Sequence, residues 1–168
     1  MIQLKPAHKA VLGGSIIAAI IAFTSPFEGE SHTAYRDIAR PDIWTICMGE
    51  TKDVHQGMTM THDQCIAKMA ERVPAYLGPV DKFMPGLSTN TRIAYADFAW
   101  NEGPGALTLR TKDSMGMQIT GTSIVDMEKA GNHAGACARL LQFNTAAGKV
   151  YPGLVKRRQA EEALCLQD

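Results

Sequence analysis

The chain has 168 residues, 45% apolar and 20% charged, with 15 Gly and 8 Pro, which is the material of one domain with a real core and excludes collagen-like and disordered classes. Its 17 Lys and Arg balance its 17 Asp and Glu, so it has no basic stripe of the kind that phosphate-backbone binding requires, and a nucleic-acid role is argued against.

The balance hides an asymmetry, because residues 1–27 carry Lys5 and Lys9 and no acid. Between Lys9 and Glu28 runs an uncharged segment of 18 residues, AVLGGSIIAAIIAFTSPF, which with its short positive flank has export-signal architecture. Its strongly apolar part, Ile16 to Phe23, is only eight residues, and Gly13, Gly14 and Ser15 dilute what precedes it. A comfortable span needs about 20 apolar residues, so the segment is a weak anchor, with the C-terminus sent out by the positive-inside rule. Cleavage near Ala18, Ala19, Ala22 or Ser25 is a second reading, and a buried core helix, argued against by the flanking charges, is a third.

Ser25, Pro26 and Glu28 fit a capping box at N-cap, N1 and N3, which gives Glu28 a purely structural explanation. His32–Ile38 and Ile43–Met48 are rich in Thr, Tyr, Ile and Trp and predict a β-hairpin around residues 39–42, the one convincing sheet. Residues 49–60 have no apolar period and predict a loop or short irregular strand. Thr61 and Gln64 predict a second capping box, opening a helix over about 61–76 that Pro74 kinks or ends.

Past residue 85 the pattern is helical throughout. Arg92–Trp100 is apolar on nearly every side, which predicts a helix buried in the middle of a lobe. Helical stretches follow at about Ser114–Ala130 and Asn132–Phe143, and a last helix opens at Pro152, with Lys156, Arg157 and Arg158 expected on its exposed side. The fold class is therefore α+β: a small lobe with a hairpin over about 28–60, a linking helix over about 61–76, and a helical lobe over about 85–168, with a cleft between lobes as the natural ligand site.

Cys47, Cys65, Cys137 and Cys165, in a chain with export-signal architecture, read as a disulfide framework with three possible connectivities. The element order favours Cys47 with Cys65 inside the small lobe and Cys137 with Cys165 between two packed helices.

No G-x-S-x-G and no H-E-x-x-H occurs, and the five histidines, at 8, 32, 55, 62 and 133, show no metal-ligand spacing, so neither metal nor cofactor is expected. Glu102, at a helix stop, reads as a capping or solvated residue. Glu28, Asp37 and Thr45 fall at a helix end and on the two hairpin strands, where one fold-back can bring a proton donor, a carboxylate and a hydroxyl to one wall. Glycoside hydrolysis uses such a set. The plain explanations remain beside it: capping for Glu28, pairing with Arg36 or Arg40 for Asp37, β-propensity for Thr45.

Phe27-Glu28-Gly29, Tyr35-Arg36-Asp37-Ile38, Trp44 to Thr51, Asn101 to Gly105 and Gly153 to Glu161, taken in that order, resemble the phage lysozymes of glycoside hydrolase family 24. The likeness is greatest to lambdoid-phage endolysins with a signal-anchor-release N-terminus. It implies a lysozyme-like fold and an endolysin that hydrolyses the β-1,4 bond between N-acetylmuramic acid and N-acetylglucosamine of peptidoglycan. It also implies Glu28 as general acid, with Asp37 and Thr45 holding the attacking water for inversion. By the same resemblance residues 1–27 are an uncleaved anchor before a lysozyme domain at 28–168, and residues 10–27 tether a monomer to the inner membrane until its release to the periplasm. Some relatives of this type cage the site through an anchor cysteine, but residues 1–46 contain none.

Two departures from the family pattern stand out. The threonine lies eight residues after Asp37 instead of six, a shift that preserves strand parity. Glu50 stands where the family often has His, placing an extra carboxylate near the site. A lytic transglycosylase, a non-catalytic peptidoglycan-binding module and a membrane-active N-terminal segment with an idle body are the competing readings.

Overall fold

In the computed structural model the described residues are 16–36, 41–110, 121–146 and 148–167. They fold into helices α1 (Ile16–Thr24), α2 (His62–Phe83), α3 (Thr89–Glu102), α4 (Ile124–Lys129), α5 (His133–Arg139) and α6 (Pro152–Cys165), and strands β1 (Ser31–Arg36), β2 (Trp44–Cys47), β3 (Thr145–Ala146) and β4 (Lys149–Val150). The chain divides into two compact units, residues 1–74 and 75–168.

In the first unit residues 16–24 of the apolar N-terminal segment form a helix largely buried in the protein. Ala19, Ile20, Ile21, Phe23 and Thr24 of α1 are all buried, so the buried-helix reading describes the state seen here. Among the described residues no helix is long and apolar enough to cross a membrane. The expected hairpin forms, with Tyr35 opposite Thr45, Arg36 opposite Trp44, and a register shift between Ser31 and Tyr35. The stretch after it is not plain loop, because Thr33 bridges Thr59 and the Ala34 N–H donates to the Met58 carbonyl at 2.9 Å. Ala34, Ile46, Cys47 and Cys65 form the core here, flanked by Trp44, Val54, Met58 and Met60.

The Thr61–Gln64 capping box opens α2 as expected, each backbone N–H donating to the other's side chain. The helix does not stop near residue 76. It runs through Pro74 and Pro79 to Phe83, and Val73, Leu77, Val80 and Met84 are buried at helical spacing along it. Burial of that stripe outweighs the hydrogen bonds that the prolines remove.

In the second unit α3 is buried on every side, as its sequence predicts, from Ile93 through Ala99, with Ser88 as N-cap accepting from the Thr91 N–H. Phe98 meets Phe143 edge-on at 4.9 Å between ring centroids. The stretch expected over Ser114–Ala130 is represented by α4 alone, residues 111–120 lying outside the described residues. The α4 capping box of Ser123 and Asp126 is joined by Arg110, and Arg110 and Ser123 together hold the Asp126 carboxyl down at about 2. The β3–β4 pair is a small second sheet that the sequence reading missed. Two disulfides join Cys47 to Cys65 and Cys137 to Cys165, the favoured pairing.

The largest departure lies in α6. Arg157 and Arg158, expected at the surface, are 3% and 0% exposed. Arg157 donates twice to Asp97 of α3, at 2.8 and 3.0 Å, and stands 3.6 Å from Glu161. Arg158 donates to Glu161 at 2.7 Å, to Glu102 at 2.9 Å, to the Phe143 carbonyl at 2.9 Å and to Asn101. Burial is tolerable because each guanidinium meets carboxylates of α3 or of the next turn of α6. Glu102 is thus an ion-pair partner and not a plain cap.

Candidate functional site

The three residues singled out by sequence are positioned by α1 and the hairpin. After α1 the chain makes one tight turn, Ser25–Phe27, and Glu28 follows in extended backbone, its N–H donating to the Ser25 carbonyl at 3.2 Å. The chain reaches Ser25 already helical, with Thr24 and not Ser25 at the N-cap position that the sequence suggested for Ser25. Glu28 is half-buried at the point where helix gives way to strand, three residues before β1.

Thr45 lies on β2, directly across from Tyr35. It is 2% exposed, and among the described residues its Oγ1 has no hydrogen-bond partner. Such a group is uncommon in a folded protein, because burying a hydroxyl without a partner costs free energy. Asp37 lies outside the described residues, as does Arg40. Arg36, at the end of β1, donates to the Pro41 carbonyl and places its guanidinium 4.7 Å from the Trp44 ring centroid. The structure thus assigns Glu28 and Thr45 to the same compact unit, on segments joined through the hairpin.

Glu50, the unexpected carboxylate, is occupied locally. Cys47 leaves β2 with φ 56°, in the left-handed region, and the Ile46 and Glu50 backbones then exchange two hydrogen bonds of 2.9 Å. The Glu50 side chain folds onto the same turn, its Oε1 accepting from the Thr51 and Lys52 N–H groups at 2.8 and 2.7 Å. The side chain is thereby held against its own turn by two backbone donors.

A second group of polar side chains escaped the sequence reading. Glu30, two residues past Glu28, contacts His32 Nε2 at 2.9 Å and His62 Nδ1 at 3.0 Å. Hydrogen bonding from His32, and then from His62, holds the Glu30 carboxyl below the ordinary carboxylate range. The 30-residue gap between the histidines hides the contact from any spacing rule.

A sequence profile of the phage lysozyme family matches residues 25–161. The chain is 30% identical over 172 aligned positions to the SAR-endolysin of Enterobacteria phage PA-2, covering 98% of this chain and 96% of that one. In structure it resembles the active form of the P1 phage endolysin Lyz, with a TM-score of 0.74 and 25% identity over 92% of this chain and 96% of the other. Likeness to the secreted inactive form of the same P1 endolysin is weaker, with a TM-score of 0.52 and 26% identity over 68% of this chain and 74% of that one. On the profile match over most of its length, the chain belongs to the phage lysozyme family.

Proposed function

We propose that Glu28, Asp37 and Thr45 are the catalytic set of this lysozyme: Glu28 protonates the leaving oxygen, and Asp37 with Thr45 holds the water that attacks the anomeric carbon with inversion. As a phage lysozyme the protein is a glycoside hydrolase of cell-wall peptidoglycan serving host lysis. The bond cleaved is the β-1,4 link between N-acetylmuramic acid and N-acetylglucosamine. The observation that carries the assignment is the buried Thr45 hydroxyl, unpartnered among the described residues, on the strand paired to the one that follows Glu28. A threonine kept for packing alone gains nothing from that oxygen, whereas a residue that positions water needs it.

The N-terminal segment, residues 1–27, acts as a weak membrane anchor with the lysozyme domain, 28–168, in the periplasm, and its release lets the monomer reach the wall. Support comes from the uncharged run ending at Phe27 and from relatives named SAR-endolysins. The burial of α1 and the greater likeness to the active P1 form point the same way, since a segment that has left the bilayer must hide its apolar side chains within the protein.

Incubating the purified full chain with cell walls and analysing the products tests the reading. New reducing ends are expected. Anhydro-sugar ends would instead make it a transglycosylase, and sedimentation with the wall without products would make it a binding module.

A further inference from the structure

The hairpin has two unlike faces. On one, Ala34 and Ile46 are buried in the small core with Trp44 packed against them, and Arg36, opposite Trp44, lays its guanidinium 4.7 Å from that ring's centroid. Successive side chains of a strand alternate between faces, so Tyr35 and Thr45, which stand directly opposite each other, share the other one. Residues paired in this way have Cβ atoms about 4.5 to 5.5 Å apart. Their surroundings differ all the same, since Thr45 is 2% exposed and Tyr35 is 42% exposed. A large aromatic ring thus stands open to solvent immediately beside the hydroxyl assigned to the attacking water.

We propose that Tyr35 is a substrate-binding residue whose ring packs against a sugar ring of the glycan strand beside the bond that is cut. The inference rests on the reading of Thr45 as the residue that holds the attacking water. That water has to lie against the anomeric carbon when it reacts, which brings the sugar bearing that carbon within reach of whatever flanks Thr45. On the paired strand the flanking residue is Tyr35. One face of a pyranose ring is a patch of C–H groups, and a flat aromatic side chain covers such a patch while its phenol tip stays in water. The fold itself has no need of the ring. β1 is held by the Arg36–Trp44 contact on its other face and by the Ala34 N–H donating to the Met58 carbonyl, and a β-branched residue suits an exposed strand position as well as tyrosine does.

The experiment is steady-state hydrolysis of soluble glycan strands of alternating N-acetylmuramic acid and N-acetylglucosamine by the full chain, followed through new reducing ends, with thermal unfolding of each variant beside it. Tyr35→Thr removes the ring and keeps a strand-forming residue, and it should raise KM about tenfold with Tm almost unchanged. Its kcat should stay within about threefold of the parent's, because a packing contact serves bound substrate and transition state alike. Tyr35→Phe keeps the ring and should recover nearly the parent KM. A parent KM in the folded Tyr35→Thr variant would overturn the proposal, and so would a Tyr35→Phe variant as impaired as Tyr35→Thr, which would move the role to the hydroxyl. Thr45→Val in the same assay separates the two possible failures. Parent rates there would remove the water-holding reading, whereas slow hydrolysis there with a parent KM in Tyr35→Thr would remove only the sugar contact.

Discussion

Glu28 sits where a helix ends, and that position changes what its substitution should do. Had Ser25 opened a helix with Glu28 at N3, the carboxylate would serve a capping box, a role that glutamine also fills. In the structure Thr24, and not Ser25, holds the N-cap position, and glutamine keeps the shape of glutamate. Glu28→Gln should therefore abolish wall hydrolysis and leave Tm nearly unchanged, because the amide cannot deliver the proton. A variant that still cleared cell walls would remove the acid assignment. Thr45 offers a complementary test. Valine fills the same volume without the buried, unpartnered hydroxyl, so Thr45→Val should keep or raise Tm while hydrolysis falls steeply, and Thr45→Ser should recover part of the rate. Equal rates for the valine variant and the parent would return Thr45 to a packing role. Residues 28, 37 and 45 stand out in the sequence through the family resemblance, because an acid, a carboxylate and a hydroxyl by themselves each have a plain structural explanation. The burial of Thr45 was not legible there, since strand residues of both faces carry threonine.

At the scale of elements, α6 shows how charge misleads a reader of sequence. Three consecutive basic residues look like a solvated face, yet Arg157 and Arg158 are buried while Lys156 alone is exposed. The signal was present in Glu161, four residues after Arg157 and three after Arg158, and in Asp97 in the middle of the apolar α3 run. Neither acid has a reason to be buried unless a cation meets it there. Desolvation, reinforced by Asp97, raises the Glu161 carboxyl well above its ordinary range, while Arg158 opposes the rise. Arg157→Met should therefore cost about 3 to 5 kcal/mol, since it strands Asp97 at 0% exposure with its bidentate partner gone. Lys156→Met should cost almost nothing. Denaturant unfolding of both variants checks the contrast, and equal midpoints would show that the network is not required for stability. The continuation of α2 past Pro74 and the two-residue strands β3 and β4 were illegible for a different reason. A proline rule is local and loses to a buried stripe, and two residues are too few for any alternation to register.

For the whole molecule the decisive quantity is where the apolar N-terminal segment resides. Its length, its flanking lysines and its lack of charge were readable, but sequence cannot say whether bilayer or protein receives it, because both reward the same side chains. In the folded protein Ile20, Ile21 and Phe23 are 1%, 8% and 5% exposed. Burial of three such side chains is worth roughly 5 to 9 kcal/mol, which competes with insertion of a segment too short in strongly apolar residues to be held firmly. A balance so close can be tipped. Gly13, Gly14 and Ser15 lie outside the described residues, so leucine at all three is argued from membrane partition alone. Each leucine favours insertion by about 0.5 kcal/mol, and three together shift the partition by roughly tenfold or more. The triple variant should accumulate in the inner membrane and stay silent after depolarisation, as followed by fractionation and by culture turbidity. Lysis on the normal schedule would count against release from an anchor, and a cleaved export signal would then account better for the same 27 residues.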